Sequence, residues 1–300
     1  MKKILLIARA VSQASIEKAD DFARRIQQQL VDEVQIEHCE ISELFFELSR
    51  DRVAIYHPQK GFDLRDFDLV VIRHIGQMAV EAHAITQYCE FYKIKYTDQY
   101  LNRLLLDNKI STEFLLWFNG VKNHPRTFYG ALTELKRRFA ELGDKAILKD
   151  NQGSKGRLNF LVTSVEQIQQ IHDQHPGVRF VLQEFIPNDG DLRVLILNDR
   201  PALVISRQSN GRSHLNNTSQ GGKATILPLA SVAPEIVRLS IRVAQIAKLQ
   251  VAGVDVMLDQ RNGDIYLLEI NNAPQISSGS FTEEKAVEYA IMLKELVNDN

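Results

Sequence analysis

Cysteine is scarce in this chain of 300 residues: Cys39 and Cys89 are the only two. They lack metal-type spacing and cannot build a disulfide framework, which points to a reducing compartment. Long apolar runs are missing too. The first, from Ile4 to Ala8, meets Arg9 too soon for a signal-peptide core, and nothing approaches the ~18 residues a membrane helix needs. An excess of one charge is also absent. Lys and Arg number 36 against 38 Asp and Glu, a formal net charge of -2, so bulk charge does not make a nucleic-acid binder. No G-x-G-x-x-G follows the first strand pattern, and no Gly-Lys-Ser/Thr completes a Walker loop. The expectation is a cytoplasmic protein with neither nucleic acid nor membrane as partner.

What is present is the balance of a soluble globular protein, 44% apolar and 25% charged. A chain of 300 residues can bury two or three packed subdomains. Strand patterns at 3–8, 34–38 and 68–72 alternate with a helical pattern at 15–30, which predicts a small α/β sheet. The spacing of Ile110, Phe114, Leu115 and Phe118 predicts a helix over 108–118, and another is expected over 132–142. Strands then dominate, at 146–149, 159–162, 180–185, 192–197 and 202–206. A helix at 233–248, a hairpin of 254–258 with 265–270, and a helix at 282–297 complete the chain. The plan is an α/β N-terminal domain (1–95) followed by an α+β body, with a central subdomain (96–186) and a C-terminal one (187–300).

The most informative stretch runs from Gly253 through Asp255, Asp259 and Glu269 to Asn271. A three-residue loop, Arg261-Asn262-Gly263, with Gly in the left-handed position would centre the hairpin on Asn262. Asp255 then opposes Glu269, and Asn271 shares its face. Opposed carboxylates repel, so something positive belongs between them. Two carboxylates and an amide oxygen are hard ligands suited to Mg²⁺. A two-residue Asn262-Gly263 loop would instead shift the register by one and turn Asp255 to the other face. A solvated polar face on an edge hairpin is the other alternative. Asp259 reads as a strand-end or turn residue.

The strand ending at Lys149 runs into Gly153-Ser154-Lys155-Gly156-Arg157. Glycines let backbone N–H groups turn toward a phosphate, and Lys149 could meet a phosphate oxygen; a plain turn would give the same pattern. Gly190-Asp191-Leu192-Arg193 opens another strand. Arg193 and Arg207 suit bidentate oxyanions, with surface salt bridges as the ordinary alternative. The polar loop Asn216-Asn217-Thr218-Ser219-Gln220-Gly221-Gly222 either moves freely or closes over a substrate.

In that order these pieces resemble the ATP-grasp superfamily, and within it the RimK-like carboxylate–amine ligases. The resemblance rests on Gly190-Asp191-Leu192-Arg193, Ile205-Ser206-Arg207-Gln208, Asn217 ahead of Gly221-Gly222, Phe67-Asp68-Leu69-Val70-Val71-Ile72-Arg73 and Asp107-Asn108-Lys109. The C-terminal hairpin also looks like that of D-alanine–D-alanine ligases. Residues 65–275 carry the resemblance, and the preceding residues share only its pattern. It implies an ATP-grasp body whose two subdomains, each with an antiparallel sheet, clamp ATP. Lys109 and Lys149 would hold the phosphates under a loop containing Gly153, Ser154 and Gly156. Gln183, Glu184, Phe185 and Ile186 would line the adenine site, and Asp191 would meet the ribose. Asp255, Glu269 and Asn271 would carry two Mg²⁺ ions, or Mn²⁺ in their place, with Glu269 bridging. Arg193, Arg207 and Asn217 would face an acyl-phosphate.

The implied reaction joins a carboxylate to an amine at the cost of ATP, releasing ADP and phosphate. Such a site needs charge neutralisation and closure more than a protein nucleophile; His74 and His214 read as ordinary polar residues. Implied partners are an amino-acid, peptide or protein carboxylate and an amine, in a homo-oligomer (dimer or tetramer). The chain departs from the family pattern in two places. Leu215-Asn216-Asn217-Thr218-Ser219-Gln220 replaces Arg-Ser-Asn-Leu-His-Arg, and Asn272-Ala273-Pro274-Gln275 replaces a small-residue Pro-Gly turn. Both lie on the substrate side, so neither glutamate nor a ribosomal protein carries over. A small-molecule dipeptide ligase and a catalytically inactive ATP-binding regulatory module are the competing readings.

Overall fold

The computed structural model describes residues 1–8, 13–30, 34–48, 53–73, 75, 78–102, 109–153, 156–208 and 223–298. Chain order begins β1 (Lys2–Ala8), α1 (Gln13–Gln29), β2 (Val34–Glu40), β3 (Phe45–Leu48), β4 (Val53–His57), β5 (Phe62–Asp63), β6 (Leu69–Arg73), α2 (Ala79–Tyr92) and β7 (Lys95–Thr97). A parallel sheet of order β2-β1-β6-β7 results, with β3-β4-β5 as a small antiparallel annex. Parallel strands covered on both faces read as unbroken apolar runs, and Ile4–Ile7 and 69–72 are buried throughout. Leu5 and Ile7 pack toward α2, while Ile4 and Leu6 pack toward α1 and the C-terminal helix.

The body continues with α3 (Lys109–Phe118), β8 (Thr127–Tyr129), α4 (Leu132–Arg138), β9 (Ala146–Asp150), β10 (Asn159–Val162), α5 (Val165–Gln174) and β11 (Phe180–Glu184). Its antiparallel sheet, β10-β9-β11-β8, rests on α4 and α5 through Leu135, Leu148, Ile168 and Leu182. Next come β12 (Asp191–Leu197), β13 (Arg200–Gln208), β14 (Lys223–Leu227), α6 (Pro234–Ala247), β15 (Val251–Leu258), β16 (Ile265–Asn271) and α7 (Thr282–Asn298). They form a second antiparallel sheet, β14-β13-β12-β15-β16. Val194 and Ile196 of β12 face α6; Leu195 and Leu197 join the core shared by α7 and the N-terminal sheet.

Packing groups residues across the expected divisions at 95 and 186. β7 extends the first sheet to Thr97, and Leu116 of α3 with Val121 buries in the core of the last sheet. The helix expected over 132–142 tightens to a 3₁₀ turn at Phe139–Leu142. α2, α5 and the strands β3, β4, β5, β7, β8 and β14 had no expectation. In α2 the buried residues Ala82, Ile85, Thr86 and Cys89 keep one stripe with Tyr88 at its edge, but the exposed apolar Val80 and Phe91 on the opposite face blur the pattern in the sequence.

The hairpin register is a correction with a physical cause. The loop is Gln260-Arg261-Asn262-Gly263, closed by Asp259 N–H to the Asp264 carbonyl at 2.9 Å, not the three-residue loop. Next to it Leu258 pairs with Ile265 and Val256 with Leu267, one residue out of the expected register. A bulge then inserts Leu268, so Asp255 opposes Glu269 and Gly253 opposes Asn271 after all. Gly263 takes the expected left-handed conformation at φ 78°. Asp259 is a turn residue, 1% exposed, gripping the Arg261 guanidinium at 2.6 Å.

Candidate active site

A cleft opens between the two antiparallel sheets, with Lys149, Gln183, Glu184, Phe185 and Ile186 on one wall and Asp191, Arg207, Asp255 and Glu269 on the other. Lys109, Gly153 and Gly156 also line it. The structure therefore gathers in one cleft most of the residues singled out from the sequence. Ser154 and Asn217 lie outside the described residues, as do His74, His214 and residues 209–222.

Lys149 stands on β9 opposite Asn159 of β10 and Val181 of β11. It is buried, and its Nζ donates to Gln183 Oε1 at 2.8 Å. Gln183 Nε2 in turn donates to Thr127 Oγ1 at 2.8 Å and Glu113 Oε1 at 3.3 Å. Burial lowers the pKa of Lys149, against the opposing pull of Glu113 and Glu269. The start of α3 is tied to the loop after β9: Lys109 N–H donates to the Asn151 carbonyl at 3.0 Å, Ile110 N–H to Asn151 Oδ1 at 3.0 Å, and Lys109 Nζ reaches the Gly153 carbonyl. A Cβ at Gly153 would stand 2.9 Å from Asp150 Cβ, so this tight turn excludes larger residues. At the far end Phe185 has Lys145 over its ring at 4.3 Å. The Glu184 carboxylate accepts from Arg126 N–H at 3.4 Å and faces Arg261 at 3.6 Å.

The opposite wall is a chain of alternating charges. Arg193 holds Asp255 through two bonds of 2.7 Å each, Nε to Oδ1 and Nη2 to Oδ2. Arg207 Nη2 approaches the same carboxylate at 3.0 Å while its Nε holds Asp191 Oδ1 at 2.6 Å. Burial works to raise the Asp255 carboxyl, but the two guanidiniums outweigh it and keep it below the usual carboxylate range. The positive charge that the opposed carboxylates require is thus supplied, on the Asp255 side, by arginine. The Asp191 carboxylate, expected at the ribose, is directed into Arg207.

Glu269 is the contrast. It makes no hydrogen bond or ion pair with any described residue; burial raises its pKa, with Lys109 opposing and Asp255 adding to the rise. The Asn271 side chain likewise has no hydrogen bond among the described residues. A carboxylate and an amide oxygen left open on one face, beside an Asp with lone pairs to spare, fit a hard divalent cation. No group of three or more His, Cys, Asp or Glu suited to a metal occurs among the described residues, so the amide of Asn271 is needed to complete the set. Glu113 was missed in the sequence. It lies four residues after Lys109, on the same helix face, and that spacing is the signal that could have found it.

Residues 107–295 match the RimK-like ATP-grasp domain family, well over half of the chain. The chain belongs to that family. It is an ATP-grasp ligase, an enzyme that forms C–N bonds. Among its relatives, the probable alpha-L-glutamate ligase of Syntrophotalea carbinolica is 24% identical over 236 residues, 77% of this chain and 76% of that protein. The one from Nitrosococcus oceani is 23% identical over 265 residues, 85% and 86% of the two chains. The ATP-grasp ligase PsnB, solved with a phosphomimetic variant of its minimal precursor, Mg and ADP, superposes with a TM-score of 0.69 at 13% identity over 98% of both chains. The D-alanine–D-alanine ligase of Bacillus anthracis with ATP gives 0.68 at 15% identity over 99% and 97%. The fold is thus an α/β N-terminal domain followed by an α+β ATP-grasp body, and ligases of this family use ATP and Mg²⁺. No helix among the described residues is long and apolar enough to cross a membrane.

Proposed function

We propose that this ligase joins a carboxylate to an amine through an acyl-phosphate, the amine belonging to an amino acid, a peptide or a protein. The carrying observation is Glu269, without a partner among the described residues and facing Lys109 and Lys149 across the cleft, opposite an Asp255 already held by two arginines. Lys149 and Lys109 neutralise the phosphates of ATP, and the backbone of 183–186 takes the adenine. Glu269, Asn271 and Asp255 would hold two Mg²⁺ ions, which supply charge neutralisation during phosphoryl transfer. Arg193 and Arg207 face the acyl group.

The donor carboxylate oxygen forms a bond to the γ-phosphorus as the bond to the bridging oxygen breaks, and ADP leaves. Arg193 and Arg207, pre-oriented by Asp255 and Asp191, stabilise charge on the mixed anhydride. The amine nitrogen then bonds to the carbonyl carbon and gives up a proton. Phosphate departs with the electron pair of the broken C–O bond. Closure of the cleft keeps water from the anhydride.

The test is ADP and phosphate release with Mg²⁺, ATP and pools of amino acids, dipeptides and peptide tails, with L-glutamate first because relatives are named glutamate ligases. A product lighter than its two components by one water is expected. Release of AMP and pyrophosphate would overturn the acyl-phosphate.

A further inference from the structure

Glu113 stands behind Lys149 without lining the cleft itself. It sits on α3, one turn after Lys109, and it is half-buried. Burial raises its pKa, against Lys149, the Thr127 hydroxyl, the Gln183 amide and Lys109, which all favour the charged form.

A single amide links Glu113 to Lys149. Gln183 on β11 is 4% exposed. Its Nε2 donates to Thr127 Oγ1 at 2.8 Å and to Glu113 Oε1 at 3.3 Å, and its Oε1 accepts from Lys149 Nζ at 2.8 Å. The Thr127 hydroxyl can donate as well as accept, and its own proton reaches the Pro125 carbonyl at 2.8 Å. Thr127 alone therefore does not decide which way the amide points. A carboxylate only accepts and an ammonium only donates. Glu113 and Lys149 thus fix the amide from its two ends, with nitrogen toward α3 and oxygen toward Lys149. The three groups form a polarised chain, carboxylate to amide to ammonium, in which each bond strengthens the next.

Lys149 needs such a chain. It is 8% exposed, and it makes no ion pair within 4.0 Å among the described residues. A buried ammonium without a counter-charge is costly. Two carboxylates act on it, Glu113 from α3 and Glu269 from β16, while Lys109 opposes them. In the proposed site Glu269 turns to a divalent cation, which leaves Glu113 as the carboxylate that answers Lys149.

We propose that Glu113 is a positioning residue: through Gln183 it holds the Lys149 ammonium in place for the phosphates of ATP. This rests on the ligase reading, in which Lys149 meets those phosphates, and adds to that site a residue that touches no substrate.

The test measures, by calorimetry, the affinity of the intact protein for a non-hydrolysable ATP analogue with Mg²⁺, together with the melting temperature of each variant. Glu113→Gln keeps the volume and removes the charge. It should weaken analogue binding by ~10-fold, the scale of one hydrogen bond to a charged group, with little change in melting temperature. Lys149→Met should weaken binding further. In the double variant Glu113→Gln should add no further loss to that of Lys149→Met, because the group it positions is gone. A merely structural Glu113 would instead give losses that add. Additive losses, or a Glu113→Gln variant that binds the analogue as tightly as the natural protein, would overturn the positioning role and leave the ligase reading standing. Undiminished binding by Lys149→Met would remove Lys149 from the phosphates, and the inference with it.

Discussion

Glu269 and Asp255 face each other across one ladder rung in opposite electrostatic states. Asp255 is neutralised by Arg193 and Arg207 and held low; Glu269 is not, and its carboxyl is held high by burial. Glu269→Gln keeps the volume and removes the charge, so turnover should fall at least ~100-fold with little change in melting temperature. Unchanged turnover would remove Glu269 from the metal set. The pH profile follows from the sign of the shift. Below its raised pKa Glu269 is protonated and cannot hold a cation, so kcat/KM should fall on the acid side above the usual carboxylate range. Metal competes with protons for the same oxygens, so more Mg²⁺ should move that limb to lower pH; an acid limb indifferent to Mg²⁺ would contradict it. Lys285 gives a stability prediction. Burial pushes its pKa down to about 8, so between about 8 and 10.5 the unfolded chain binds more protons and stability rises with pH. Lys285→Met should accordingly raise stability at pH 7 by ~1–3 kcal/mol, read by denaturant titration, and flatten that rise.

At the scale of elements, a glycine and a bulge position the charges. Gly190 opens β12 at φ 144°, and a Cβ there would stand 2.4 Å from the Arg207 carbonyl oxygen. Gly190→Ala should therefore cost ~2–4 kcal/mol and displace Arg207. Chemical denaturation and kcat would both report it, and a stable, fully active variant would refute the close approach. The bulge at Leu268 shows where reading a sequence runs out. The apolar runs of β15 and β16 were legible, and so was the Gly263 turn, because a strand buried along most of its length, as β15 is, and a left-handed φ leave marks in residue type. The loop length and the bulge leave none; their one-residue offsets cancelled, so the facing pair was reached through a loop that does not exist. The partners of Asp255 were equally illegible, since Arg193 comes to it from the adjacent strand β12 and Arg207 from β13, the strand beyond. The expected strands from 146 to 206 were legible because each is an apolar run with turn residues at its ends. α5 was not, its polar face hiding a single buried Ile168.

At the scale of the molecule, α7 decides what unfolds with what. Its buried residues Tyr289, Met292, Leu293 and Val297 share one core with Ile4, Leu6 and Val71 of the N-terminal sheet and with Leu195, Leu197 and Val251 of the last sheet. The sheet carrying Lys149 has a separate core, built on Leu135, Leu148 and Ile168. The two walls of the cleft therefore pack on different cores, which predicts that they open as separate units. Tyr289→Ala would leave a cavity where the ring, 1% exposed, meets Phe22 at 5.5 Å, costing ~3–5 kcal/mol. Hydrogen exchange should then accelerate together in β1, β6, β12 and β15 while β9 and β11 keep their protection. Acceleration confined to α7 and the N-terminal strands would show that the last sheet does not depend on this helix. Equal acceleration in β9 would show that the wall bearing Lys149 is not a unit of its own.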